Sequence, residues 1–483
     1  MAGLLQAGKT AELMRGFMAL FARSLVWPGR VAHRFLDGTA VAAVRRSVVE
    51  AIESSRALSG YSLLTGVGIL LGFVRELTVA STFGLSPQLD VFVAVMSVQL
   101  FFGAQIGNAL ETAFIARLGA QSGAGAALSL LKPAVCGLLL VNAGVVLCLW
   151  GGGSWLLEHL FPRFDAGQQA LAAHTLYALL LPLVFASTAG LLRGALVVQG
   201  AFAPGFLAGS IVSACTIVSI LLFSSALGVD ALTLGVAAGN LGVLGFFAGR
   251  LALSARGARP VSPQPSSVTR GDGWFALWGA AATVLFGELV YAAVTLTERS
   301  LASWLPSGSV AAFFYASTIV SVPLALFIVP LTTMVFPGMV EAFGRNVRDG
   351  LAQVRKYGML LLAAGVAVVL IVMPFARTIV ETVFLRGRFS AEHAEFTASI
   401  LSVTIVALPF MSLNRLLRNA CYAFSDYRTP VAGLLVQLAA LGGSGLILIP
   451  RYGAPGLAVA MVAGEAALLS TMLLAVARKA RAQ

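Results

Sequence analysis

Charged side chains are scarce in this sequence: Asp, Glu, Lys and Arg make up 11% of its 483 residues, 58% are hydrophobic and the mean hydropathy is +0.91. So little polar material cannot clothe water-soluble domains, and the solvent around most of the chain is therefore lipid. Histidine is sparse too. His33, His159, His174 and His393 are scattered without the spacing of a metal site or of a nucleophile and its base, so no metal ligand set is expected. The four cysteines, Cys136, Cys148, Cys215 and Cys421, sit in or beside apolar stretches and are expected to serve helix packing. No glycine-rich nucleotide-phosphate loop is present, which argues against direct ATP coupling, and no cofactor is expected. The net charge of +12 would suit nucleic acid only with a basic face on a soluble domain, so no nucleic-acid partner is expected either.

What is present is one long apolar run after another, at approximately 61–82, 88–114, 129–151, 169–197, 203–225, 230–252, 273–297, 309–338, 357–384, 395–420, 428–449 and 453–477. A bilayer core about 30 Å thick needs roughly 20 apolar residues per helix. Runs this continuous are helices and not barrel strands, because each must satisfy its own backbone in hydrocarbon. The expected fold is an all-α polytopic membrane protein with about twelve transmembrane helices. Lys and Arg gather on alternate sides: the N-terminus, Arg117, Arg250 to Arg270, Arg345 to Lys356, Arg428 and Arg478 to Arg481. That bias places both termini in the cytoplasm and the loop around Arg386–Phe389 outside.

Residues 1–60 carry too many basic residues for a span, and Val41, Val44, Val48 and Ile52 recur at helical spacing beside Arg45 and Arg46. A basic amphipathic segment on an anionic membrane surface and an unstructured tail are both open readings. The Pro- and Ser-rich stretch within 253–272 reads as a cytoplasmic linker between an N-terminal six-helix bundle, 61–252, and a C-terminal one, 273–477, followed by a basic tail, 478–483. An internal echo supports two halves: LLRGALVVQGAFAP from Leu191 and LLRNACYAFSDYRTP from Leu416 fall six spans apart.

Charge inside apolar spans is the most informative feature, since an Arg, Lys or Asp near a helix centre costs about 2.5–3.5 kcal/mol and usually faces a cavity. Arg75, Glu76, Glu111 and Glu288 are the candidates for substrate binding, and Asp90, Glu298 and Arg299 for gating or ion coupling. Arg75 and Glu76 point about 100° apart on a helix, so at least one should seek a partner elsewhere. The plainer reading of these groups is interhelical ion pairing. Glu298 and Arg299 on position alone suit an exposed interfacial pair, and Arg193, Arg415 and Arg418 suit snorkelling. Gln105, Asn108, Asn240 and Asn414 would line a cavity or join helices.

The segment GFVRELTVASTFGLSPQLDVFVA resembles the MurJ/MviN family of lipid II flippases, within the MOP transporter superfamily: Arg75–Glu76 matches its GF-x-R-(D/E) element, followed by a Phe83–Gly84 turn and an acidic residue at Asp90. TERSLASWLPSGSVAAFFYAS from Thr297, FLRGRFSAEHAEFTA from Phe384 and ACYAFSDYRTPV from Ala420 extend the likeness over most of 60–477. The resemblance implies two six-helix bundles, alternating access, and a cationic cavity in which Arg75 meets the pyrophosphate and sugar of a polyprenyl-linked precursor. The sequence departs from the family at Gly68–Ile69, usually Ser-Arg, over Phe101–Gly107, which lacks an arginine and a glutamate, and at Ser317, Thr318 and Ser321, usually acidic, arginine and acidic.

The function expected is therefore a non-enzymatic flippase of the bacterial inner membrane, moving a polyprenyl-(pyro)phosphate-linked glycan to the outer leaflet. Its partners would be that glycan, membrane lipids and glycan-synthesis enzymes. The alternatives are a cation-coupled drug exporter of the same superfamily, a membrane-embedded glycan polymerase or transferase, and a scaffold that retains the fold alone.

Overall fold

The computed structural model describes residues 59–118, 124–257, 270–423 and 426–482, and among them it contains helices and no strands. Twelve helices are long and apolar enough to cross a membrane. In order they are Gly66–Phe83, Pro87–Ala116, Leu130–Leu160, Ala166–Val198, Ala203–Leu227, Asp230–Ser254, Leu277–Ala302, Ser309–Arg345, Val347–Val372, Ala391–Ala423, Arg428–Tyr452 and Ala454–Lys479. The expectation for residues 1–58 and for the centre of the linker, 258–269, falls outside the described residues.

Local chemistry sets several of the starts. Ser86 accepts the Leu89 N–H at 3.3 Å and Pro87 occupies the first turn of the second span, where its missing N–H costs nothing. Asp165 with Gln168, and Ser390 with His393, form reciprocal caps at the starts of the fourth and tenth spans.

The expected ninth span, 357–384, is two elements. The membrane helix begins at Val347, capped by the Asn346 side chain, and ends at Val372. A separate helix, Ala376–Phe384, follows. Pro374 cannot supply the N–H that continuation requires, and Arg377 pairs with Glu381 at 2.8 Å on an exposed face of the second piece. The apolar face of that short helix, Val380 and Phe384, is buried and made the run look continuous in sequence. At the other end of the chain the last helix continues to Ala482, so the basic tail prolongs it.

The spans form two six-helix bundles. In the first half the fourth span packs on the second, third and sixth, and the fifth packs on the sixth. In the second half the tenth packs on the eighth, ninth and twelfth, and the eleventh on the twelfth. The seventh span belongs to both: Leu277 and Ala281 lie in the apolar core with Phe114, Leu138 and Leu192, while the helix also packs along the eleventh span. The second and eighth spans, six apart, each contain a five-residue π-helical segment, Leu100–Ala104 and Leu324–Ile328. Wide turns of this kind break the regular hydrogen-bond ladder and permit bending.

Large apolar side chains such as Leu140, Trp150, Leu221 and Phe327 are exposed on the outside of the bundles, as hydrocarbon solvent demands. Cys136 and Cys148 are exposed on this surface as well, and only Cys421 of the four is buried, so packing is not a role shared by all the cysteines.

Candidate functional site

Apart from the seventh span, the main packing between the halves is at the end where spans one and two, seven and eight, and the short helix and span ten are joined. There the Asp90 carboxylate, 2% exposed, accepts the backbone N–H groups of Gly308 and of Ala311, the latter at 2.7 Å. These are unsatisfied donors at the start of the eighth span, where the helix dipole also favours negative charge. An acidic side chain of the first half thus caps a helix of the second.

Three left-handed glycines complete the closure. Gly84 has φ +59°, Gly387 +59° and Gly308 +91°. A Cβ at Gly84 would stand 2.6 Å from the Arg388 carbonyl oxygen, one at Gly387 2.2 Å from that of Ser81, and one at Gly308 2.9 Å from that of Leu85. The backbones touch, and Arg388 N–H donates to the Ser81 carbonyl at 2.8 Å. The Arg163 guanidinium lies 5.8 Å over the Trp304 ring and donates to the Trp304 carbonyl at 3.4 Å. Beneath the closure, Tyr315 packs on Phe384 and Phe389, and its buried hydroxyl, which faces Glu76 and Asp90, has no hydrogen-bond partner among the described residues.

The predicted charges are distributed unequally around this junction. Arg75 and Glu76 bind each other, with Arg75 Nε 2.9 Å from Glu76 Oε1. The expectation that neighbouring residues on a helix would need partners elsewhere is therefore corrected: the arginine is long enough to bend back around the backbone to a buried carboxylate. Arg75 remains about one third exposed and Glu76 is 5% exposed. Glu111 is engaged by Arg193 of the fourth span, whose Nε donates at 2.8 Å and whose other nitrogen reaches Asn108. Arg193 does not simply snorkel.

Arg299 is also not an exposed interfacial residue. It is 8% exposed, lies 5.5 Å over the Phe314 ring and donates to the Val310 carbonyl at 3.4 Å, within electrostatic reach of Asp90 and Glu298. The seventh span meets a fold-specific pocket there and not the membrane interface. Glu298 faces Arg299 and Glu465. Glu465 is absent from the sequence-derived candidates. Its carboxylate receives Asn414 Nδ2 at 2.7 Å and Gln437 Nε2 at 2.9 Å, joining spans ten, eleven and twelve. Its sequence signal is a lone carboxylate inside an otherwise apolar helix, AVAMVAGEAALL. Glu288, half-buried near the middle of the seventh span, faces Arg418.

The positions where family cations would stand are closed or engaged. A side chain at Gly103 would meet Leu183 Cγ at 2.7 Å. Thr318 bonds its own helix through Phe314 O at 3.0 Å. Among the described residues no group of His, Cys, Asp and Glu is arranged to hold a metal ion.

Outside the spans, Asp426 ties the join after span ten to the end of the last helix. It receives Lys479 Nζ at 2.6 Å and Thr429 Oγ1 at 2.6 Å. Burial pushes this carboxyl up, but the bonds from Lys479 and Thr429 prevail and hold it at about 2.

A sequence profile described as "Lipid II flippase MurJ" matches residues 79–483. The chain is 29% identical over 183 residues to a "Probable lipid II flippase MurJ" of Bdellovibrio bacteriovorus, a match covering 37% of this chain and 34% of that one. With the protein of the same description from Vibrio cholerae serotype O1 it shares 26% identity over 421 residues, 83% of this chain and 78% of the relative. Among solved structures it resembles "Lipid II flippase MurJ, inward closed conformation", with TM-score 0.74, 18% identity, and coverage of 86% of this chain and 87% of the other. It also resembles an inward-facing multidrug resistance MATE transporter of the MOP superfamily, with TM-score 0.70, 16% identity and coverage of 87% and 95%. Both likenesses describe the fold.

Proposed function

Because the chain belongs to the Lipid II flippase MurJ family, we propose that this multi-pass membrane protein is an alternating-access flippase moving a polyprenyl-(pyro)phosphate-linked glycan from the inner to the outer leaflet of the bacterial inner membrane. The observation that carries the reading is the Asp90 cap on the eighth span. With backbone contacts and the Arg163–Trp304 pair it ties the two halves at one end, a junction small enough to open. With both termini cytoplasmic, as the Lys/Arg bias has it, the closed end is the outer one and the cavity faces inward. In this reading Arg75, partly exposed, meets the anionic headgroup, and a pyrophosphate arriving there competes with Glu76 for the guanidinium. Asp90 and Arg299 act in gating.

The finer reading is a headgroup less anionic than lipid II, whose peptide carries further carboxylates. Ile69, Gly103 and Thr318 supply no charge, Arg193 is engaged by Glu111, and each missing charge-assisted contact forgoes about 1.5–3 kcal/mol. An exopolysaccharide or capsule precursor fits that cavity better, and glycan-synthesis enzymes would be its suppliers.

Cation-coupled export is a second reading with its own observation, the facing carboxyls of Glu298 and Glu465 in the second half. In a flippase the same pair serves ion coupling, driven by a membrane potential that contributes about 2.3 kcal/mol per charge per 100 mV.

The test is reconstitution. In proteoliposomes, a fluorescent polyprenyl-pyrophosphate glycan should become accessible to an impermeant quencher only when the protein is present. No gain in rate over protein-free vesicles, with the protein folded and inserted, removes the flippase reading.

A further inference from the structure

We propose that Arg415 and Arg418 of the tenth span form a second anion subsite, in the C-terminal half, for the diphosphate of the cargo. The proposal rests on the flippase reading and adds a site to it, because neither residue belongs to the candidates drawn from the sequence.

The two arginines lie three residues apart and therefore share a helix face, with Asn414 and Tyr422 beside them. They face the seventh span, where Glu288 and Tyr291 lie within electrostatic reach of Arg418. Tyr291 of the seventh span is 54% exposed although it lies near the middle of that helix and faces Arg418, Arg415, Glu465 and Glu298. A side chain that is exposed yet surrounded by charges from spans ten and twelve lines an interior cavity and not a lipid-facing surface.

Among the described residues, Arg418 donates no hydrogen bond and makes no ion pair within 4 Å, although its electrostatic neighbours are Glu288, Tyr291 and Tyr422. Arg415 uses one donor, Nε, on Thr332 Oγ1 at 3.1 Å, and Asn419 fixes the same threonine through its carbonyl at 3.1 Å. Two guanidiniums with most of their donors unused, inside a membrane-spanning helix, are costly unless they face water or an anion. Arg75 and Arg193 are by contrast already bound to carboxylates.

The chemistry recognised is a diphosphate. Its oxygens match the planar fork of each guanidinium, and two such forks one helical turn apart suit two linked phosphoryl groups better than a monoanion. Glu288, within electrostatic reach of Arg418, opposes binding by repulsion.

The test titrates the full-length protein in lipid nanodiscs with inorganic pyrophosphate and, separately, with geranyl pyrophosphate. Arg418→Gln and Arg415→Gln should each weaken binding by about tenfold or more, while Arg418→Lys should retain part of it and Glu288→Gln should tighten it. Tighter binding of the geranyl compound assigns the subsite to a lipid headgroup, and equal affinities assign it to the bare diphosphate. If Arg418→Gln and Arg418→Lys, both folded by thermal melting, bind as the parent does, the subsite is overturned and the flippase reading stands. If the parent protein binds neither compound, the pyrophosphate cargo itself is wrong and the subsite falls with it.

Discussion

The Asp90 carboxylate of the second span receives the backbone N–H of Ala311 in the eighth span at 2.7 Å, so the two halves of the protein are joined by a helix cap. Caps of this kind within one helix contribute about 1 kcal/mol. Here the same bond spans the junction that parts in the proposed transport cycle.

Replacing Asp90 with Asn removes the charge and turns one acceptor into a donor facing an N–H. The closed end should open more often, seen as greater reactivity of a cysteine placed at Leu85 toward an impermeant thiol reagent, and transport should fall by about tenfold, matching a loss of 1–3 kcal/mol. Unchanged reactivity would leave Asp90 a structural cap without a gating role.

Gly387 admits no Cβ, since one would lie 2.2 Å from the Ser81 carbonyl oxygen. Gly387→Ala should therefore hold the same end apart, increasing labelling at Leu85 without reducing the amount of inserted protein. Labelling equal to the parent would show that these backbones do not meet in the working state.

Glu111 and Arg193 stabilise each other between spans two and four. Arg193→Ala strands a carboxylate that is 14% exposed and should lower the melting temperature, whereas the double change Glu111→Gln, Arg193→Gln should recover most of the loss. A double variant as unstable as the single one would deny the coupling.

Asp426 titrates near 2 in the folded protein and near 3.9 when unfolded. Its folded value is depressed, so the stability it adds is present above the unfolded value and is lost as pH falls through the folded one. Asp426→Asn should cost at most about 2–3 kcal/mol, and less with the screening expected at a partly open site. The difference in melting temperature between parent and variant should be steady from pH 7 to about 5 and shrink below about 4. A difference that grows on acidification would contradict the latch to Lys479.

The twelve spans were legible because hydrocarbon imposes a rule that composition alone obeys: long apolar runs that satisfy their own backbone. The ninth is shorter than its apolar run because the buried side of Ala376–Phe384 imitates a membrane face, and only Pro374 marks the break. Among the charges, Asp90 stood out by its position at a helix start, but its partners, the N–H groups of Gly308 and Ala311, are backbone and leave no sequence signature. The Arg75–Glu76 pair defies helical angles because an arginine is long enough to reach back around its own helix. Glu465 needed the fold, since Asn414 and Gln437 lie on two other spans.

Arg75 tests where the cargo binds. Arg75→Ala should abolish transport, and adding Glu76→Gln, which removes the carboxylate left buried at 5% exposure, should restore stability without restoring transport. Recovery of both in the double variant would return Arg75 to a purely structural role.

The most direct test of the account is complementation in cells depleted of their own lipid II flippase, following growth and precursor accumulation. A flippase for a less anionic polyprenyl-linked glycan should fail to rescue, and deletion of its own gene should abolish a surface polysaccharide while cell-wall synthesis continues. Robust rescue, with lipid II no longer accumulating inside, would contradict the account.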